Sequence, residues 1–150
     1  MKDIFSIEVT AETIHRIEQL KSDSQPLWGK MNAGQMLAHL CVQYEMVYTN
    51  KYKPANAFKK FLMKAFVKKA VVGEKPYPKN SRTAPEFLVS DNQDFNRQQE
   101  RLTAFIKKAQ NDGKKYFEGK ESPNFGALSA NEWNNLFYKH IDHHLSQFGI

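Results

Sequence analysis

Cysteine occurs once in the 150 residues, at position 41. A lone thiol excludes an internal disulfide framework and fits a reducing, cytoplasmic compartment. It also excludes a zinc site built from several cysteines, so a metal here would be held by histidine with carboxylate or amide groups. No apolar run is long enough to span a bilayer, and no charged-then-apolar leader opens the chain. Strand-type alternation, internal repeats and low-complexity segments are missing too. The H-E-x-x-H pattern of zinc proteases does not occur.

What is present is an aromatic-rich chain, with eleven Phe, six Tyr and two Trp. Its length fits a single domain, residues 1–150, large enough to bury a core. The formal net charge is +6, but residues 51–79 alone hold nine lysines against one acid, Glu74, and so carry +8; the remainder sums to −2.

The last twenty residues organise the rest. Ser129 and Glu132 have capping-box spacing, and Leu128 with Trp133 has the spacing of a hydrophobic staple, so a helix starts at Ser129 and runs nearly to Gly149. At 100° per residue, Trp133, Phe137, Ile141, Leu145 and Phe148 form one apolar stripe. His140 and His144 lie on that stripe one turn apart, His143 lies at its edge, and Asp142 points away. Two imidazoles at i and i+4 can share one metal ion. Such a pair is a weak signal by itself, because a histidine on an apolar face is more often a hydrogen-bonded core residue; a third ligand from another buried face is needed.

Further helices are expected upstream. One is capped at Thr10 after a lead-in of residues 1–9 and runs to about Ser22, with Ile14, Ile17 and Leu20 inward. A second begins at Asn32, with Gln35 completing a variant capping box, and ends near Asn50. Its polar set Asn32, Gln35, His39 and Gln43 reads either as a water-facing edge or as a ligand with amides that orient it. Cys41 points away from His39 and reads as a small core or interface residue. A third helix, about Ala55 to Val72, should turn Phe58, Phe61, Leu62, Ala65 and Phe66 inward and the Lys60, Lys64, Lys68 stripe outward. Pro76, Pro78 and Pro85 make 73–90 a loop, either a lid bearing Asn80-Ser81-Arg82-Thr83 or a packing strap. A fourth long helix opens at Ser90 or Asp91 and reaches about Asn111, and residues 112–128 form a second loop. The expected fold is all-α: an antiparallel four-helix bundle with one shorter helix and two loops.

Trp28-Gly29-Lys30-Met31, Gln35 to Leu40, Pro85-Glu86-Phe87, Phe125-Gly126, Glu132-Trp133 and Lys139 to Gly149 together resemble the DinB/YfiT-like superfamily, and more narrowly one of its branches of unknown function. The resemblance spans nearly the whole chain. It implies a four-helix bundle whose divalent metal is held by one histidine of the second helix and an H-x-x-x-H pair of the last. Carried over by motif, the ligands are His39, His140 and His144, the cofactor is a zinc or nickel ion, and relatives include thiol-dependent S-transferases and isomerases. No substrate-binding residue carries over.

Three protein ligands leave a coordination position open for water or a low-molecular-weight thiol, which a metal activates. The expected function is therefore a metal-dependent hydrolase or S-transferase acting on a small molecule, with Gln43 and Gln147 supporting the ligands. Tyr44, Tyr138, Glu45 and His143 are alternative proton carriers. The competing reading is a bundle that holds a metal or small ligand without catalysis. Nucleic-acid binding through Lys59, Lys60, Lys64, Lys68 and Lys69 is not expected, since the patch lacks interleaved arginine and stacking aromatics. No membrane partner is expected, and a homodimer is.

Overall fold

The computed structural model describes residues 1–150 and is all-α apart from one small hairpin. Its helices are α1 (Ile7–Glu18), α2 (Ala33–Tyr48), α3 (Ala57–Leu62), α4 (Lys68–Val72), α5 (Phe95–Phe117) and α6 (Ala130–Gln147). A π-helical turn, Met63–Val67, joins α3 to α4, and a 3-10 turn covers Pro85–Phe87. No helix is long and apolar enough to cross a membrane.

Helix starts follow their caps. Both halves of the capping box form at Asn32/Gln35 and at Ser129/Glu132, where each pair satisfies two amides at a helix start. α1 starts earlier than its sequence suggests. Ser6 accepts from the Val9 amide, while the Thr10 hydroxyl donates back to the Ile4 carbonyl. The expected lead-in is therefore part of the core, with Ile4 and Phe5 buried. α5 starts later, at its Asp94 cap, and ends six residues beyond Asn111, because Gly113 adopts a left-handed φ of 66° and the chain resumes helix after the kink. The expected second loop thus begins with helix and holds a strand pair, Glu121–Ser122 (β1) with Gly126–Ala127 (β2).

The segment 57–72 reverses its expected orientation. Phe58, Phe61 and Phe66 are exposed, at 72, 66 and 78 %. The face turned inward carries Met63, Val67, Val71 and Val72. Of the lysine stripe, Lys60 and Lys68 are drawn into ion pairs with Glu121 and Glu132, and Lys59 pairs with Glu86.

α2 packs along α5, α5 also meets α1 and α6, and α6 meets α2 and α4. The centre is aromatic. Phe137 stacks on Tyr44 at 4.6 Å and meets Phe117 at 5.3 Å and Trp133 at 5.5 Å. Burying each such ring contributes about 1.5–3 kcal/mol through removal of apolar surface from water. Cys41 is buried in this core, and burial pushes its thiol up to about 12, which makes it a packing residue.

Candidate metal centre

The inward stripe of α6 continues past the aromatic core into histidine. His140 and His144 lie one turn apart, and α2 brings His39 across to them. All three are buried, at 9, 8 and 4 % exposure. His39 Nε2 lies 2.8 Å from His140 Nε2, and the three ring centroids stand 4.6 to 4.9 Å apart. One nitrogen from each residue falls within 4.8 Å of the others.

The opposite ring nitrogens fix the tautomers. His39 Nδ1–H donates to the Phe87 carbonyl at 2.8 Å, and a carbonyl only accepts. His144 Nδ1–H donates to Gln147 Oε1 at 2.8 Å. Gln147 is held in that orientation because its amide nitrogen donates to the Trp28 carbonyl at 2.6 Å. His140 Nδ1–H donates to Gln43 Oε1 at 2.7 Å. With Nδ1 of His39 and His144 carrying the proton, and Nδ1 of His140 carrying it when Gln43 presents its oxygen, the Nε2 atoms present lone pairs to one another. Two bare lone pairs at 2.8 Å repel; a proton on one Nε2 turns the contact into a hydrogen bond, and a metal cation shared by the rings replaces that proton. Nitrogens sharing one tetrahedral zinc-like ion stand about 3.3 Å apart, so these spacings bracket what a single ion needs. The residues present fit a divalent metal: the cluster can hold one.

Electrostatics favour the same state. Burial lowers the pKa of all three imidazoles. His140 falls well below the usual histidine value, with the neighbouring His39 and His144 adding to burial. His144 falls to about 3, through burial and then His39. For His39, burial outweighs the opposing Phe87 hydrogen bond. Neutral imidazole is the form that ligates.

Gly29 has a structural reason. Its φ is +83°, and a Cβ there would run into the Gln147 amide nitrogen. Only glycine lets the Trp28 carbonyl and Gln147 meet, and Gln147 in turn orients His144.

Of the four alternative proton carriers, only His143 lines the cavity beside the cluster, half-buried and edge-on to Tyr77 and Trp28 at 5.7 and 5.9 Å. Burial lowers its pKa as well. Tyr44 is locked in the aromatic core, with burial raising its pKa. Glu45 is taken up by ion pairs with Arg101 and Lys51, and Tyr138 is buried away from the cavity. Sequence reasoning missed the Phe87 carbonyl and Tyr77. The carbonyl has no side-chain signature, although Pro85-Glu86-Phe87 belonged to the motif set.

The cluster opens into a cavity of about 810 Å³, bounded by α2, the inward face of 63–71, the 77–89 loop and α6. Apolar walls come from Met63, Val67, Val71, Phe125, Trp133 and Leu136. Lys139 ties the loop down. Its buried ammonium, pulled to about 8 by burial, donates to the carbonyls of Ala70, Gly73 and Lys75, at the end of α4.

No curated protein and no solved structure matches the chain significantly. A family model does, over residues 2–149, and its description is "Protein of unknown function (DUF1569)". With nearly every residue matched, the chain belongs to the DUF1569 family.

Proposed function

We propose that this protein is a metal-dependent enzyme of the DinB/YfiT-like type, with α1, α2, α5 and α6 as its four-helix bundle. In it His39, His140 and His144 hold one zinc or nickel ion. One observation carries the reading: three buried imidazoles from two helices bring one nitrogen each within 4.8 Å of the others while each Nδ1 meets an oxygen of the protein. That is the pattern of oriented metal-ligating histidines. An ion held by these three neutral ligands would supply Lewis acidity toward water or a small thiol. The chain's own residues do the rest. Gln43, Gln147 and the Phe87 carbonyl fix ring orientation, the apolar walls limit water around the reacting group, and His143 takes or returns a proton at the cavity face of α6.

Elemental analysis of protein purified without a metal-affinity tag tests the site. Near-stoichiometric metal in the wild type, lost in both His39→Ala and His144→Ala, is expected. Metal below about a tenth of an equivalent in the wild type, after growth with zinc and nickel supplied, sinks the reading. A screen of low-molecular-weight thiols with electrophilic acceptors, beside esters and amides, then tests catalysis. Full occupancy with no turnover across that screen would identify a bundle that binds without reacting.

A further inference from the structure

The cavity wall has a one-sided charge. Not one aspartate or glutamate lines it, whereas Lys30 and Arg82 do, both at its solvent-exposed edge. Neither cation forms an ion pair with the protein's own carboxylates. Elsewhere the chain does use such pairs, as at Lys59, Lys60 and Lys68 around the same segment. A third cation, Lys79, sits 4.3 Å over the ring of Trp28, itself a lining residue. The turn presenting Arg82 is fixed by the left-handed Asn80, φ 57°, and by the Ser81 hydroxyl donating to the Pro78 carbonyl at 2.6 Å.

Deeper in, the walls are apolar, and one buried donor is unspent. Gln43 is 6 % exposed, and its amide nitrogen has no hydrogen-bond partner, although its oxygen is committed to His140. A buried unpaired N–H costs about 1–3 kcal/mol, so a site containing one favours a ligand oxygen that satisfies it. Positive charge at the edge, none of the opposite sign inside, and a free donor beside the imidazoles all favour the same ligand chemistry.

We infer that the cavity takes a small amphipathic anion: an apolar alkyl or aryl body along the Met63, Val67 and Leu136 walls, with its carboxylate-like group at Arg82 and Lys30. The end remote from the charge lies at the histidine cluster and carries an acceptor oxygen for Gln43. This deepens the metalloenzyme reading by naming its substrate class, and it rests on that reading only for the reacting end. The charged end is recognised by the protein alone.

Titration calorimetry with octanoate, octanol and octylammonium tests it, on protein as isolated and again after chelation. Octanoate is expected to bind about tenfold more tightly than octylammonium in both preparations at low salt, as two cations without carboxylate partners at the cavity edge favour. Arg82→Gln should weaken octanoate several-fold and leave octanol unchanged, and Arg82→Lys should restore most of the loss. Octylammonium binding as tightly as octanoate overturns the proposal, as does no octanoate binding at millimolar concentration or an Arg82→Gln variant that binds it like wild type. Because the chelated protein is one arm, loss of the metal reading leaves this result readable. A preference seen only with metal present also overturns recognition by Arg82 and Lys30.

Discussion

α6 and the helical segment 57–72 carry the same kind of pattern: aromatic side chains at helical spacing, with ionisable groups beside them. In α6 the aromatic stripe faces the core, and Phe137 has no exposed surface. In 57–72 the phenylalanines face solvent, and the thinner Met63, Val67, Val71 face turns inward to wall the cavity. The difference lies in what each helix must satisfy. α6 is flanked by α2, α4 and α5 and fills the space between them with rings. The segment 57–72 spans an open cavity, its lysines reach Glu86, Glu121 and Glu132, and Lys139 of α6 fixes its end. Amphipathicity identifies two faces; the partners available choose between them.

The largest expected effect is on the α6 side. Phe137→Ala should cost about 3–5 kcal/mol in urea denaturation, with or without metal, because it opens a cavity among Tyr44, Phe117 and Trp133. A loss below about 1 kcal/mol would break the contrast.

The histidine end of α6 should respond to metal where its aromatic end does not. Zinc or nickel at a hundredfold excess over its dissociation constant should stabilise the wild type by about 2.7 kcal/mol. His39→Ala, His140→Ala and His144→Ala should lose that gain. Acid should matter as well. The three imidazoles titrate below the unfolded value of about 6.5, so the unfolded chain binds more protons once pH drops below it. Metal-free stability should therefore be highest above that pH and fall as pH falls towards about 3, where His144 titrates. His144→Leu should flatten this limb in urea midpoints taken from about pH 8 to 4.5.

Lys139→Met probes the link between the two helices. It strands the carbonyls of Ala70, Gly73 and Lys75, at a cost of about 1–3 kcal/mol. Hydrogen exchange should speed up in residues 70–77 while the amides around Phe137 stay protected.

The smallest effect belongs to the exposed ring. Phe61→Ala should stay within about 0.5 kcal/mol of wild type. A loss comparable to that of Phe137→Ala would mean that the ring is buried in solution.

Much of the site is legible in the order of residues. The periodicity of α6 turns His140 and His144 inward, and Gln147 stands within a turn of the His144 it orients. Gln43, a turn from His39, instead meets His140 on α6, and the amides expected to orient His39 give way to the Phe87 carbonyl. His39 is reached through a resemblance, since its polar edge could equally have faced water. The Phe87 carbonyl and the cavity wall are not legible: a backbone acceptor from a distant loop leaves no mark in side-chain spacing, and neither does the choice of inward face in 57–72.

The amino-acid order by itself determined the Asn32 and Ser129 caps, the apolar stripe of α6 and its histidine pair, because each depends on residues within a turn or two of one another. Packing alone decided that His39 meets a ring 101 positions away, that the rings of 57–72 face water, and that Gly113 kinks α5 without ending it. Those outcomes depend on which surfaces compete for the same core space, and that competition is settled only when the whole chain is folded.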